Sequence, residues 1–439
     1  MFINIGAQSA FFVALYFTIL VFTCFLWRIA RVCFTIVKQH TSKGSVQTYM
    51  DNRLTKRHRL IYQFFRLPVR LFLKLRFHYT GKQEKALPSP SIILANHTTN
   101  YDPLMVASSY REHMYFVAGE HVFRAGLASR LLRSLFAPIS RVKGTTDART
   151  VMEVLRNLHA GNNVCIFAEG NRTFNGLTCD ILPSTGKLVR ASGATLVTYR
   201  IEGGYFASPR WSKTLRRGKV FGHEIARYSP EVLKGMTNEE VNAILVRDLS
   251  EDAYVRQARE HIRFRGKRLA EGIEAGLYLC PACGRIGSIT GIDDRFACTC
   301  GLEGRYTEYG MLEGASLPFS TITEWDLFQE QEFYKRVLEA SGETLLFEDQ
   351  GQRLFLLGPH GQNEPLAEGA LLMYGDRFCI GTHCIALTDI ENLAIHGRMS
   401  IVFTTRDGRY HEIKSEIDRS APKYEVVWRA ANRRPGTSS

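Results

Sequence analysis

His97 and Asp102, five residues apart, are the first pair in this chain whose types and spacing could do chemistry. A neutral imidazole can take the proton of a hydroxyl as its oxygen attacks a carbonyl, typically for about 10²–10⁴-fold in rate. A carboxylate on the other ring nitrogen fixes its tautomer and orientation. Alone, the pair equally fits chance and an ordinary Asp-Pro helix opening at 102–103. A second element, FAEGNRTFNG (167–176), contributes Glu169, Gly170 and Arg172. A strand ending at Glu169-Gly170 would bring a guanidinium and backbone N–H groups to a sheet's C-terminal edge, a setting suited to phosphate. Arg141, in PISRVKG (138–144), offers a second cation and Lys143 a further one.

The elements that must position these residues alternate between two patterns. SIILANH (91–97) reads as a buried strand, after which Asp102 at the cap and Pro103 at the first helical position open a helix. MYFVAGE (114–120), NVCIFAE (163–169) and ATLVTYRIEG (194–203) read as further strands, with a possible fifth over Lys219–Ile225. TDARTVMEVLRNLHA (146–160) carries Val151, Val154, Leu155 and Leu158 on one helical face and is closed by Gly161. Strands interleaved with helices predict an α/β layer domain with a mixed sheet and flanking helices. Thr237 to Glu240 has capping-box spacing ahead of a helical region expected to reach about Ala275.

Taken together, three blocks resemble the lysophosphatidic acid acyltransferase family, the 1-acylglycerol-3-phosphate and glycerol-3-phosphate O-acyltransferases. ANHTTNYDP (95–103) is similar to its His-x4-Asp block, PISRVKG to the block that carries an Arg, and FAEGNRT to the third, where Glu169, Gly170 and Arg172 match. Ala168 stands where the family usually has Pro, Asn171 where it has Thr, and Thr198 replaces the Pro of the fourth block, LVTYRIEG (196–203). The resemblance spans about residues 70–225. It implies that His97 is the general base and Asp102 its orienter, that Arg141 and Arg172 bind the acceptor phosphate, and that Glu169 holds the acceptor or the Arg loop. It also implies an acyl-CoA or acyl carrier protein donor, no catalytic metal, and work at the cytoplasmic membrane face.

The N-terminal region agrees with a membrane setting on its own terms. Residues 9–27, SAFFVALYFTILVFTCFLW, carry no charge and would reach roughly 28 Å as a helix, near the hydrocarbon thickness of a bilayer. A cleaved signal peptide would want its positive residues before the apolar run, whereas Arg28 and Arg31 come after it. An uncleaved transmembrane anchor with a cytoplasmic body is therefore expected, a cleaved signal or a buried core helix being the competing readings. The formal charge is +13, and between Arg28 and Thr80 twelve Lys/Arg face one acid, Asp51. Such a block seeks a polyanion, either nucleic acid or an anionic lipid surface. In LIYQFFRLPVRLFLKLRF (60–77), Arg66, Arg70 and Lys74 recur every fourth residue among Phe64, Phe65, Leu67, Leu71 and Leu75. This fits an interfacial helix that Pro68 should kink or divide, or else an amphipathic cover for a soluble core.

Four of the ten cysteines cluster as CPACG (280–284) and CTCG (298–301). In a reducing compartment clustered thiols favour a metal over disulfides. Cys280, Cys283, Cys298 and Cys300 are thus candidate ligands of a structural zinc, with plain free cysteines as the alternative. The intervening RIGSITGIDDRFA is not basic enough for a nucleic-acid face, so no nucleic-acid partner is expected. From Glu343 the tail turns to β, with an Asp-Gly hairpin at 407–408 and a last helix after Pro422. It resembles a pleckstrin-homology-like barrel, although a small β sandwich fits too.

The expected organisation is an anchor and basic segment (1–57), an α/β acyltransferase domain (58–275), a zinc-ribbon-like module (276–312), and a linker helix with a β-rich domain (313–439). The expected activity is acyl transfer from a thioester carrier to the hydroxyl of a phosphate-bearing lyso-glycerolipid at the cell membrane. Two alternatives stand beside it. One is a different lyso-lipid or amine-bearing acceptor; the other is an inactive tethered protein that grips a polyanion.

Overall fold

The apolar runs at 91–95 and 163–167 have almost no polar face and, with the mostly buried strand at 195–202, they occupy the middle of one sheet, as strands covered on both sides must. The structure, a computed structural model, describes residues 52–120, 127–141, 148–358 and 363–433. The apolar 9–27 segment and Lys143 lie outside these. Among the described residues, no helix is long and apolar enough to cross a membrane.

The sheet consists of β1 (Thr80–Gly81), β2 (Ser91–Ala95), β3 (Met114–Gly119), β4 (Ile139–Arg141), β5 (Asn163–Phe167), β6 (Thr195–Glu202) and β7 (Phe221–Tyr228). Their order is β1-β7-β6-β2-β5-β3-β4. β2 runs parallel to both neighbours, with Ala95 level with Phe167 on one side and Tyr199 on the other. Only β6 and β7 pair antiparallel, so the sheet is mixed as predicted. Around it lie α1 (Asn52–Phe77), α2 (Asp102–Ser109), α3 (Leu127–Phe136), α4 (Ala148–His159), α5 (Ser184–Ser192), α6 (Asn238–Leu249) and α7 (Ala253–Glu260).

Three local expectations need correction. Pro68 does not divide α1. The helix runs unbroken through it from Asn52 to Phe77. Asp102 is the first residue of α2 rather than its cap, because its side chain turns back into the preceding loop. The helical region after Thr237 breaks into two. Its capping box forms, but α6 stops at Ser250 and the Asp252 side chain starts α7 by accepting from Tyr254 N and Val255 N. His261, at φ 46°, ends α7, and from there to Ser288 the chain is irregular apart from one 3₁₀ turn at Ile273–Ala275.

Beyond that turn, β8 (Ile289–Ile292), β9 (Arg295–Cys298), β10 (Glu303–Tyr306) and β11 (Leu312–Glu313) make a small antiparallel sheet. α8 (Ile322–Glu339) starts from a capping box of Thr321 and Glu324. β12 (Leu345–Leu357), β13 (Asn363–Tyr374), β14 (Arg377–Ile380), β15 (His383–Ala386), β16 (Ile390–His396), β17 (Ser400–Thr405) and β18 (Tyr410–Ser415) form an antiparallel sheet, and α9 (Pro422–Ala431) comes after it. Its order is β15-β14-β13-β12-β18-β17-β16. Cys379 and Cys384, opposite each other on β14 and β15, are joined as a disulfide. α8 is more than a linker, since its Phe333 and Val337 share one buried cluster with Tyr278, Leu279, Phe403 and Tyr424. The described residues from Arg59 onward form one compact unit.

Candidate active site

His97 lies two residues beyond the end of the central strand, in a loop held by hydrogen bonds on both sides of it. Asn96, fully buried, donates to Ile201 O (2.8 Å) and accepts from Ile201 N (2.7 Å), so its amide extends the β2–β6 pairing past the last strand residue. His97 Nδ1 lies 2.8 Å from Asp102 Oδ2, and its side chain keeps 22% of its surface exposed. The ring stacks on Phe167 at 4.5 Å. Asp102 is buried and also accepts from Thr98 N (2.6 Å), Thr99 N (2.8 Å) and Thr99 Oγ1 (2.6 Å). A carboxylate so surrounded is fixed before the imidazole meets it, and it holds a proton on Nδ1. Nε2 is then the nitrogen that can act as a base.

The next strand, β5, supplies the second half. Glu169 is buried, and both carboxylate oxygens hold main chain: Oε1 accepts from His97 N (2.5 Å) and Oε2 from Cys179 N (2.6 Å). Burial pushes this carboxyl up to about 8, against the opposite pull of those two N–H groups. Its visible task is to fasten the His97 loop to the FAEGNRT loop. Gly170 adopts φ 67°, and a Cβ built on it would lie 3.2 Å from Arg141 Nη1. The Arg141 guanidinium thus rests against the Gly170 backbone, although its strand is at the far edge of the sheet. Arg172 is half-buried. Burial brings its pKa down to about 10, offset in part by the negative charge of Asp102, so it remains a cation at neutral pH. His97, Asp102, Arg141, Glu169, Gly170 and Arg172 therefore gather at the carboxyl ends of β2, β5 and β4, and Lys143 lies outside the described residues.

Comparison with known proteins bears on this arrangement. Residues 76–202 match the acyltransferase family, a span that includes His97, Asp102, Arg141, Glu169, Gly170 and Arg172. This segment is an acyltransferase domain. No curated protein matches the chain. Among solved structures it is similar to the 1-acyl-sn-glycerophosphate (LPA) acyltransferase PlsC from Thermotoga maritima, at 19% identity over 55% of this chain and 96% of that one, with a TM-score of 0.38.

Two features around this site are not read from its motifs. Arg210, buried at 4% exposure, donates Nη1 to Arg172 O (2.8 Å), Nη2 to Ile395 O (3.0 Å) and Nε to Gly397 O (2.8 Å). Its guanidinium also covers the Phe174 ring at 4.3 Å. One side chain therefore joins the acyltransferase loop to the β16–β17 turn. Thr198, standing where the family's fourth block has Pro, donates to Asp248 Oδ2 (2.9 Å) and so anchors β6 to α6. Proline would supply no such hydroxyl.

The four clustered cysteines form a separate centre, with all four sulfur atoms within 4.8 Å of one another. None of the acyltransferase residues described above belongs to it.

Proposed function

We propose that this protein transfers a fatty acyl group from acyl-CoA or acyl carrier protein to the hydroxyl of a lysophosphatidate-like acceptor, at the cytoplasmic face of the cell membrane. The observation that carries the reading is the 2.8 Å contact between His97 Nδ1 and Asp102, beside a loop that brings Arg172 and whose Gly170 meets the Arg141 guanidinium. His97 Nε2 takes the hydroxyl proton as the oxygen attacks the thioester carbonyl. The tetrahedral intermediate collapses, the C–S bond breaks, and the imidazolium returns the proton to the departing thiolate. Arg141 and Arg172 hold the acceptor's phosphate as charge-assisted hydrogen-bond donors.

The membrane part of the reading rests on α1. Leu60, Phe64, Leu67, Leu71 and Leu75 are 49–76% exposed and fall within an arc of about 80° at 100° per residue. Arg70 and Lys74 are exposed beside them, whereas Tyr62, Leu73 and Phe77 are buried on the opposite side. Phe65 is half-buried and packs near Phe136. An apolar stripe with a basic flank suits the boundary between acyl chains and anionic head groups. The uncharged 9–27 segment with Arg28 and Arg31 after it supports a single N-terminal span. The β-rich domain, by its strand order and terminal helix, is read as pleckstrin-homology-like.

The test is a membrane preparation supplied with labelled acyl-CoA or acyl carrier protein and a panel of glycerol-3-phosphate, lysophosphatidate and other lyso-lipids. Product mass should identify a diacyl phosphate-bearing lipid that disappears with His97→Ala. Equal turnover by that variant would refute the assignment. Preferred acylation of a phosphate-free or amine-bearing acceptor would move the chain to the alternative suggested by Ala168, Asn171 and Thr198.

A further inference from the structure

The cysteine centre is built from two turns on separate supports. In the first, Leu279 bridges Ile286, Cys280 N donates to Arg285 O (3.0 Å), and Gly284, at φ 68°, returns its N–H to Cys280 O (2.9 Å). In the second, Cys298 closes β9 and Gly301, at φ 95°, donates to Cys298 O (3.0 Å). Thr299 N donates to Ser288 O (3.2 Å) and ties the two together. Across the gap, Cys280 Sγ is 3.7 Å from Cys300 Sγ, and Cys283 Sγ is 3.7 Å from Cys298 Sγ. Four sulfurs at about 2.3 Å from one ion at the corners of a tetrahedron are about 3.8 Å apart. A disulfide would need about 2.05 Å. The single residue between Cys298 and Cys300, unusual for such a site, does not prevent the spacing.

The same centre is bonded toward the acyltransferase loop. Gln329, fully buried on α8, accepts from Tyr278 N (2.8 Å) and donates to Gly276 O (2.7 Å) and Asp326 Oδ1 (2.6 Å). Trp325 Nε1 donates to Leu279 O (2.9 Å), and Arg336 Nη1 to Gly284 O (2.7 Å). In the first turns of α8, beside Trp325, Asp326 Oδ2 accepts from Asn175 Nδ2 (2.9 Å) and Thr323 Oγ1 donates to Asn175 O (2.7 Å). Asn175 lies three residues after Arg172.

We infer that Cys280, Cys283, Cys298 and Cys300 bind one zinc ion as thiolates, and that the ion holds segment 276–284 against α8 so that α8 can fix the Thr173–Asn175 turn behind Arg172. Thiolate softness selects zinc or iron, and four sulfurs closing a tetrahedron leave no open position, which makes the ion a brace rather than a reagent.

The test uses the full chain and needs no activity measurement. Elemental analysis of the purified protein should find about one zinc per chain. Cys283→Ser with Cys300→Ser, both at exposed positions, should remove it. Should that variant fail to fold, the unmodified chain produced in cobalt medium should still show sulfur-to-cobalt charge-transfer absorption. Iron in stoichiometric amount, or no bound metal and no such absorption, overturns the site. Hydrogen exchange at backbone amides 173–177 should quicken several-fold when zinc is stripped with a chelator. Unchanged exchange there overturns the link to Arg172.

Discussion

The Arg210 guanidinium donates to the main-chain carbonyl of Arg172 across 2.8 Å, while its other nitrogens hold carbonyls of the β-rich domain. One buried cation thereby makes the position of a proposed phosphate ligand depend on a turn more than two hundred residues away. Replacing Arg210 with Met would take the donor from three carbonyls, that of Ile395 buried, at a cost of about 1–3 kcal/mol for each that water cannot reach. Arg210→Met should lower the melting temperature and raise KM for the acceptor several-fold. Arg210→Lys, which keeps the charge but not the fork, should lie between. Unchanged acceptor KM in a folded Arg210→Met protein would show that the bond does not matter to the site.

His97→Ala should reduce kcat by about 10²–10⁴-fold, the usual worth of a general base. Asp102→Asn should fall in the same direction, because the amide no longer rewards a proton on Nδ1 and the loop N–H groups lose a charged acceptor. Single-turnover acyl transfer compares the two, and near wild-type rates for either would remove that residue from the mechanism.

Gly170→Ala meets two obstacles at once, a φ of 67° and the Arg141 guanidinium 3.2 Å from the new methyl. The backbone alone costs about 1–2 kcal/mol. Because the flexible side chain is what moves, the larger effect should be on Arg141, seen as a several-fold higher acceptor KM with little change in donor KM. A proportional rise in both would argue against a phosphate role for Arg141.

The buried Glu169 carboxyl gives stability a pH dependence of defined sign. Unfolded, it ionises near 4.5; folded, it keeps its proton up to about 8. Between those values the folded chain binds more protons than the unfolded one, so stability is complete below the window and declines as pH rises through it, by at most about 1.4 kcal/mol per pH unit. Glu251, which burial also pushes up to about 8, adds in the same sense. Glu169→Gln should flatten the profile of melting temperature between about pH 5 and 8. An equally steep decline in that variant would assign the dependence elsewhere.

Leu67→Glu with Leu71→Glu places charge on the exposed stripe of α1 without touching the buried side. Full burial of each leucine is worth about 1.5–3 kcal/mol. Partial insertion should then register as a roughly tenfold higher KM for acceptor presented in anionic vesicles, with KM for a soluble short-chain acceptor unchanged. Equal changes for both presentations would mean that the helix does not serve the interface.

Much of the fold was legible from local pattern. The β-branched runs at 91–95 and 163–167 give the strands that carry His97 and Glu169, and turn chemistry such as the Thr237–Glu240 box is read from a few adjacent residues. What escaped are contacts whose partners are far apart in sequence. Asn96 reads as one more polar residue in a motif until Ile201, 105 positions on, meets its amide. Arg210 sits in SPRWSK, where only the neighbouring Trp211 hints at burial, and its partners Ile395 and Gly397 are 185 and 187 residues away. That Glu169 grips the backbone amides of His97 and Cys179 with its two oxygens is set by the packing of adjacent strands, which local pattern does not carry. The two helices read as one region reflect a similar limit. Periodicity continues across Ser250, and only the Asp252 cap separates them.

Among the described residues, the three-residue strand β4 has a sheet neighbour on one side alone. The imidazole at the centre of the sheet cannot be re-aimed without unzipping two ladders, whereas the arginine at the rim can shift with a short stretch of edge backbone. Diversification of head-group choice, whether by natural drift or by directed libraries, should therefore concentrate around Arg141 and spare the middle of the molecule.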